Sequence, residues 1–130
     1  MVFSSRIYVG ERLILLKVSG NVLLEDAVQG YASIFEAPEY ASGLNALWDM
    51  RELMICNIGI ADIRKLVSFI HKLSARRGPR YKAALVTGHR VDYYLLTSYL
   101  VMIRTVGNVH IRVFHQDMVA ARYWLKNESW

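Results

Sequence analysis

Short, nearly continuous apolar segments alternate along the chain with longer segments whose apolar residues recur every three or four positions. The first pattern indicates strands and the second indicates amphipathic helices. Together they predict strands at 6–9, 12–20, 44–49, 81–88 and 109–115, and helices at 23–37, 60–77, 91–107 and 117–126. This order, β-β-α-β-α-β-α-β-α, predicts an α/β fold with a mixed, mostly parallel five-stranded sheet and helices packed on it, because helical crossovers join parallel neighbours.

Individual segments carry more specific signals. The near-continuous apolar run at 12–20 is typical of a strand that is buried on both faces. The strand at 109–115 alternates cleanly, so His110 and His115, five positions apart, are expected on opposite faces of the sheet. Asp117 is a good N-cap for the last helix. The helix at 60–77 has an apolar stripe, and a set of basic residues is expected to face away from it: Arg64, Lys65, His71, Lys72 and Arg76.

The helix at 91–107 is apolar on more than one side. Its apolar and aromatic residues cannot all face one small core, so we expect a second subunit, a ligand or a membrane surface to cover some of them; burial by neighbouring elements is the alternative. A homodimer contact is the preferred interpretation, because aromatic residues and Met are enriched at such surfaces. The expected interface residues are Tyr93, Leu96, Leu100, Met102 and Ile103. A hydrophobic pocket beneath the helix is second, and membrane-surface binding is least favoured because the helix has no basic polar face.

Composition limits the class of protein. The 130 residues are 54% hydrophobic and 21% charged, which suits one domain (1–130) with a buried core and argues against disorder. The N-terminus lacks the pattern of a signal peptide. The longest nearly uncharged stretch, 91–103, is shorter than the roughly 20 residues that cross a bilayer. We therefore expect a cytoplasmic protein without a transmembrane segment.

Charge is unevenly distributed along the chain. Residues 1–60 contain four basic and seven acidic residues, whereas residues 61–130 contain twelve basic and four acidic ones. This asymmetry could favour the binding of nucleic acid or of an acidic partner, or the association of two copies. Ordinary solvated helix faces are the favoured interpretation. The basic run at 75–82 is likewise expected to be a solvated helix end, because it lacks the interleaved aromatic residues of a nucleic-acid platform. Nucleic acid is not an expected partner.

Few residues are candidates for ligand binding or catalysis. Asp49 follows an apolar strand and can bind a ligand hydroxyl, act as a base, cap a turn or pair with Arg51, which could itself hold an anion. His89 follows "VTG" at the end of the fourth strand, an edge that Asp49 is also expected to reach. These three residues, with Tyr94 and Tyr99, form the predicted ligand-binding set.

No other group adds a catalytic or metal site. Cys56 is the single cysteine and is expected to be inert, and the four histidines show none of the spacings of metal ligands. We therefore predict no catalytic residues, no metal and no cofactor.

Four segments in this order resemble the SpoIIAA-like branch of the STAS superfamily, the fold of bacterial anti-sigma-factor antagonists and sulphate-transporter tails. They are "LILLKVSGNVLLEDA", "LWDMREL", "KAALVTG" and "IRVFHQDMVAARYWL". The resemblance covers residues 6–126 and rests on the order and spacing of packing signatures. It implies a small domain that binds partners or small hydrophobic ligands.

One feature of the regulatory antagonists is missing. They carry a phosphorylatable serine in the loop after the third strand, where an added phosphate ends partner binding. The corresponding segment here, "MRELMICNIG", has neither Ser nor Thr. We therefore predict a non-enzymatic binding or regulatory domain without this switch, engaging a protein partner or an apolar small molecule; the alternative is a lipid-like ligand-binding protein with a pocket under residues 91–106.

Overall fold

The computed structural model describes residues 3–20, 24–53, 60–78, 80–104 and 109–127, and most of their side chains. Within these ranges lie five strands and four α-helices. The strands are β1 (Phe3–Tyr8), β2 (Leu13–Gly20), β3 (Asn45–Leu53), β4 (Tyr81–Thr87) and β5 (Val109–His115). The helices are α1 (Leu24–Ser33), α2 (Ile60–Arg77), α3 (Arg90–Arg104) and α4 (Met118–Asn127), and short 3-10 turns occur at Val9–Glu11 and Ile34–Glu36. None of the described helices combines the length and the hydropathy that crossing a membrane requires.

The five strands form one sheet in the order β1-β2-β3-β4-β5. β1 pairs antiparallel with β2, and the other neighbours pair in parallel. The predicted α/β fold class is therefore confirmed. Since consecutive parallel strands are also neighbours in space, right-handed crossovers place all three connecting helices on the same face of the sheet.

The core is divided by the sheet into two layers. The larger layer packs Tyr31 of α1, Phe69 of α2 and Leu96 of α3 against one face. The smaller layer packs Ala121, Trp124 and Leu125 of α4 against the other, with sheet residues that alternate with those of the first layer. α4 is thus the only described helix on its side of the sheet.

Most predicted boundaries agree with the structure within a few residues, but the third strand was predicted too short. β3 continues to Leu53 rather than ending at Asp49. Beyond Asp49 it still pairs with β2, where Ser19 and Gly20 lie opposite Glu52 and Leu53 after a shift in register. The polar residues after Asp49 suggested a loop, but hydrogen bonding to β2 keeps them extended.

The basic run at 75–82 also differs from the expectation of a solvated helix end. Arg77 at the end of α2 is only 2% exposed. Its guanidinium donates hydrogen bonds to the Tyr31 hydroxyl and the Leu44 carbonyl, both at 2.7 Å, and lies 4.1 Å from the centre of the Tyr81 ring. Arg77 thereby joins α1, α2 and β4. Burial raises the pKa of the Tyr81 hydroxyl, so this side chain stays neutral beside the cation.

A second buried cation, Lys82, holds α4 against the sheet. Its ammonium donates to the carbonyl of Trp124 at 2.8 Å. Asn45 donates through its side-chain amide to the carbonyl of Leu125 at 3.1 Å and accepts from the backbone amide of Lys82 at 2.9 Å. Carbonyls in the last turn of a helix lack intrahelical partners and carry partial negative charge. Lys82 and Asn45 therefore each donate a hydrogen bond to a carbonyl in the last turn of α4.

Replacing Arg77 with alanine should lower the free energy of unfolding by about 3 kcal/mol, because the change removes two buried hydrogen bonds and opens a cavity. The measurement is urea unfolding followed by circular dichroism. Arg64→Ala, at an exposed position of the same helix, is the control and should change stability by less than about 0.5 kcal/mol. Equal effects of the two variants would show that Arg77 is not a structural link.

Candidate functional site

Asp49 and Arg51 form a bidentate ion pair within β3. The Arg51 Nε donates to Asp49 Oδ1 at 2.9 Å, and its Nη2 donates to Oδ2 at 3.0 Å. The Asp49 carboxylate is buried, whereas the Arg51 side chain is 44% exposed. The two residues are two apart in a strand, so both project from the same face of the sheet. The sequence-based alternative in which Asp49 pairs with Arg51 is the one the structure contains.

Hydrogen bonds from Arg51 lower the pKa of the Asp49 carboxyl, and they outweigh the burial that would raise it. The same pairing raises the pKa of Arg51. Asp49 is therefore ionised at neutral pH and both of its oxygens are engaged. A carboxylate in this state is a weak base, since a general base works best with a pKa near the operating pH.

The predicted ligand-binding residues are divided between two sides of the sheet. Asp49 follows Leu47 by two positions, and Leu47 belongs to the layer under α4. Tyr93 and Tyr94 are on α3, which covers the opposite face together with α1 and α2. Among the described residues His89 is exposed and makes no hydrogen bond to Asp49. The structure therefore does not bring Asp49, His89 and Tyr94 together into one pocket.

The carboxyl ends of β3 and β4 approach each other closely at Gly88. A Cβ atom placed on Gly88 would lie 2.0 Å from the carbonyl oxygen of Arg51. The turn after β5 is bound to this segment as well. The side-chain amide of Gln116 donates to the Gly88 carbonyl at 3.1 Å, and the Gln116 backbone N–H donates to the Thr87 carbonyl at 2.7 Å. Gly88 thus fixes the position of the segment that leads into α3.

The exposed aromatic group of this edge lies at the start of α3. The rings of Tyr93 and Tyr94 meet edge to face at 5.7 Å, and Tyr93 meets His115 of β5 at 6.3 Å. Tyr94 is 64% exposed and Val91 is also exposed. Tyr93 is partly buried, so it supports Tyr94 from below.

The remaining predicted interface residues have different outcomes. Leu96 is buried in the larger core layer and is not available at the surface. The side chains of Tyr99, Leu100, Met102 and Ile103 lie outside the described ones, although their backbone belongs to α3. Cys56 and the rest of residues 54–59, most of the segment "MRELMICNIG", also lie outside the described residues.

The histidines and acidic residues form no metal site in the part of the chain that the structure describes. As the alternation of β5 predicted, His110 contacts Trp124 of α4 and His115 contacts Tyr93 of α3, on opposite faces. Asp117 caps α4 as expected, accepting a hydrogen bond from the Ala120 amide at 2.9 Å.

The sequence analysis did not anticipate an open groove between β1 and the turn after α1. Its volume is about 330 Å³, and it is lined by Ser5, Arg6, Ile7, Ser33, Ile34, Ala37 and Glu39. The lining is mixed and contains one residue of each charge. Because the groove depends on how the turn at 34–36 packs beside an edge strand, periodicity along the sequence gave no signal for it.

Comparisons with known proteins add no relative. A scan against family models gave no match, and searches of curated proteins and of solved structures also gave none.

Substituting Gly88 with alanine should destabilise the protein by about 2 kcal/mol or more, because the new methyl group would overlap the Arg51 carbonyl and force the strand ends apart. Thermal unfolding by calorimetry measures the effect. Gly10→Ala is the matched control, since a Cβ at Gly10 meets no atom within 4 Å. A Gly88 variant as stable as the Gly10 variant would rule out the close approach.

The Asp49–Arg51 pair should make stability depend on pH in a defined direction. Since the folded protein lowers the pKa of Asp49, the pair stabilises the fold above the unfolded-state pKa of about 3.9 and loses this contribution as the pH falls through the lower, folded-state value. Wild type should therefore exceed Asp49→Asn in stability at pH 7 by more than it does at pH 3, as measured by urea unfolding. The exposed Glu52→Gln is the control, and a difference for Asp49→Asn that does not change with pH would refute the assignment.

Proposed function

We propose that the protein is a non-enzymatic binding or regulatory domain that engages an apolar surface of a protein partner, with a second copy of the chain as the first candidate, or an apolar small molecule. The contact is made by the exposed face at the start of α3. The order of strands and helices along the chain is also the order on which the resemblance to the SpoIIAA-like branch of the STAS superfamily rests, and this supports a binding role.

The observation that carries the proposal is a set of exposed, uncharged residues on α3 that follows the exposed Arg90. Val91, Tyr94, Thr97 and Ser98 are all exposed on this helix. The Thr97 hydroxyl donates to the Tyr93 carbonyl at 2.8 Å, and the Ser98 hydroxyl donates to the Tyr94 carbonyl at 2.9 Å. Because each of these two hydroxyls has an acceptor within its own helix, a partner can cover Thr97 and Ser98 without leaving either donor unsatisfied.

Tyr94 has the properties of a binding anchor. A tyrosine combines a large apolar ring with few rotatable bonds, and such residues dominate the energetics of protein contacts. The edge-to-face contact with Tyr93 restricts its ring before any partner arrives. Less ordering is then required on binding, which favours affinity.

The state of Asp49 supports binding over catalysis. Its carboxylate has a lowered pKa and is held on both oxygens by Arg51. Its position on the α4 side of the sheet separates it from Tyr94. A mechanism that uses Asp49 as a base would first have to break this pair.

Introducing a charge at Tyr94 should weaken self-association. In a Tyr94→Glu variant a carboxylate would be desolvated at the contact, and we expect a dissociation constant about thirtyfold higher, equivalent to roughly 2 kcal/mol. Light scattering across a concentration series measures the change in mass. Tyr123→Glu on α4 is the matched control, because Tyr123 is 63% exposed and Tyr94 is 64% exposed.

The outcomes separate the possible partners. A mass that falls for Tyr94→Glu and not for Tyr123→Glu supports a contact between two copies. If wild type is a monomer, thermal stabilisation by fatty-acid-like compounds that is lost in Tyr94→Glu alone supports the small-molecule form of the proposal. Identical behaviour of wild type and both variants in mass and in ligand response would contradict it.

A further inference from the structure

Helices α1 and α2 lie side by side on the sheet and carry opposite charges on their exposed faces. On α1 the exposed residues are Glu25, Asp26, Gln29 and Ser33, followed by Glu36 in the next turn. On α2 they include Arg64, Lys65, Ser68, Lys72 and Arg76. Contact between the Tyr31 and Phe69 rings at 6.2 Å shows that the two helices pack together.

The opposite charges do not neutralise one another within the described part of the chain. The ion pairs there join Lys17 to Glu52, Arg51 to Asp49 and Arg122 to Glu11. None of them involves the acids of α1 or the exposed cations of α2. Arg76 instead lies over the Phe35 ring, 4.5 Å from its centre. An acidic row and a basic row are therefore both presented to solvent.

We propose that this two-helix face is an interaction surface for a second copy of the chain, with α1 of each copy lying against α2 of the other. Both helices return from the carboxyl edge of the sheet, so they run in the same direction. A two-fold axis parallel to the helices and between them then places α1 of one copy opposite α2 of the other, with the starts of the two helices together. Every acidic row meets a basic row, and the contact occurs twice.

The spacing of the charges agrees along the two helices. At 1.5 Å per helical residue, Glu36 lies about 16 Å beyond Glu25, while Lys72 and Arg76 lie about 12 and 18 Å beyond Arg64. In the proposed arrangement Glu25 and Asp26 face Arg64 and Lys65, and Glu36 faces the far cations. Association of two copies was one of the interpretations of the uneven charge along the sequence. The packing of α1 beside α2 now gives that association a defined surface.

A nucleic acid fits this surface less well. Packed helices lie about 8–10 Å apart, so a polyanion on α2 would lie within about one Debye length of the acids of α1 at 0.1 M salt. Repulsion from α1 would offset part of the attraction to α2. A second copy meets no such repulsion because its charges alternate in the same way.

The test uses charge reversal and mixing. Variant one carries Arg64→Glu and Lys65→Glu, and variant two carries Glu25→Lys and Asp26→Lys. Sedimentation equilibrium at about 20 mM salt should show at least tenfold weaker self-association for each variant alone, because like charges then face each other. An equimolar mixture should associate like wild type, because each acidic row again meets a basic one.

Two further sets of variants control for net charge and for folding. Arg122→Glu with Lys126→Glu makes the same change in net charge as variant one but on α4, on the opposite face of the sheet, and should associate like wild type. Since lysines in the first turn of α1 oppose the helix dipole, a second form of the experiment reverses the charges at the far ends instead, with Lys72→Glu and Arg76→Glu as variant one and Ser33→Lys and Glu36→Lys as variant two. Circular dichroism identifies the form that folds, and that form is used in the mixture.

The dependence of association on salt distinguishes this surface from the contact proposed at Tyr94. Raising salt from about 20 to 500 mM should weaken the charged association and leave an apolar contact intact. A wild-type mass that does not change with salt would overturn the proposal, as would a mixture that does not associate. If wild type binds a labelled DNA duplex but does not self-associate, and variant one does not bind the duplex, the partner of this surface would be nucleic acid and not a second copy. The Tyr94→Glu result stands or falls independently of these outcomes.

Discussion

The sequential order of the strands is the constraint on which the architecture depends. Because each parallel strand lies beside the next one in the chain, right-handed crossovers place α1, α2 and α3 on one face. The other face is left to α4 alone among the described helices. The position of α4 therefore decides whether the second apolar layer is covered, and Trp124 packs there while Lys82 and Asn45 bind the end of the helix.

The amino and carboxyl ends of the parallel strands have different roles as a result. At the amino ends of the strands, Arg77 and Lys82 are buried and donate hydrogen bonds to main-chain carbonyls. These contacts join helices to strands. At the carboxyl ends, the described residues form the Asp49–Arg51 pair and the close approach at Gly88, and an exposed aromatic group lies at the start of α3.

Periodicity predicted the order of elements because each strand and helix had an apolar pattern of its own. It could not predict that Arg77 and Lys82 are buried, because their carbonyl acceptors lie 33 and 42 residues away along the chain and the local sequence looks like a solvated helix end. The pairing of Asp49 with Arg51 was among the sequence-based alternatives. The length of β3 was missed because pairing with β2, rather than side-chain pattern, keeps residues 50–53 extended.

The three helices on the larger layer present three different surfaces in chain order: acidic on α1, basic on α2 and, after the exposed Arg90, uncharged at Val91, Tyr94, Thr97 and Ser98 of α3. A two-fold axis between α1 and α2 uses the first two surfaces and leaves α3 at the outer side of each copy, beyond α2. The charged and the uncharged contacts therefore do not compete for the same residues. They also respond to different conditions, since screening acts on exposed charges and has little effect on apolar burial. Under the two proposals, one chain would associate through its charged face and still offer Tyr94 to another partner.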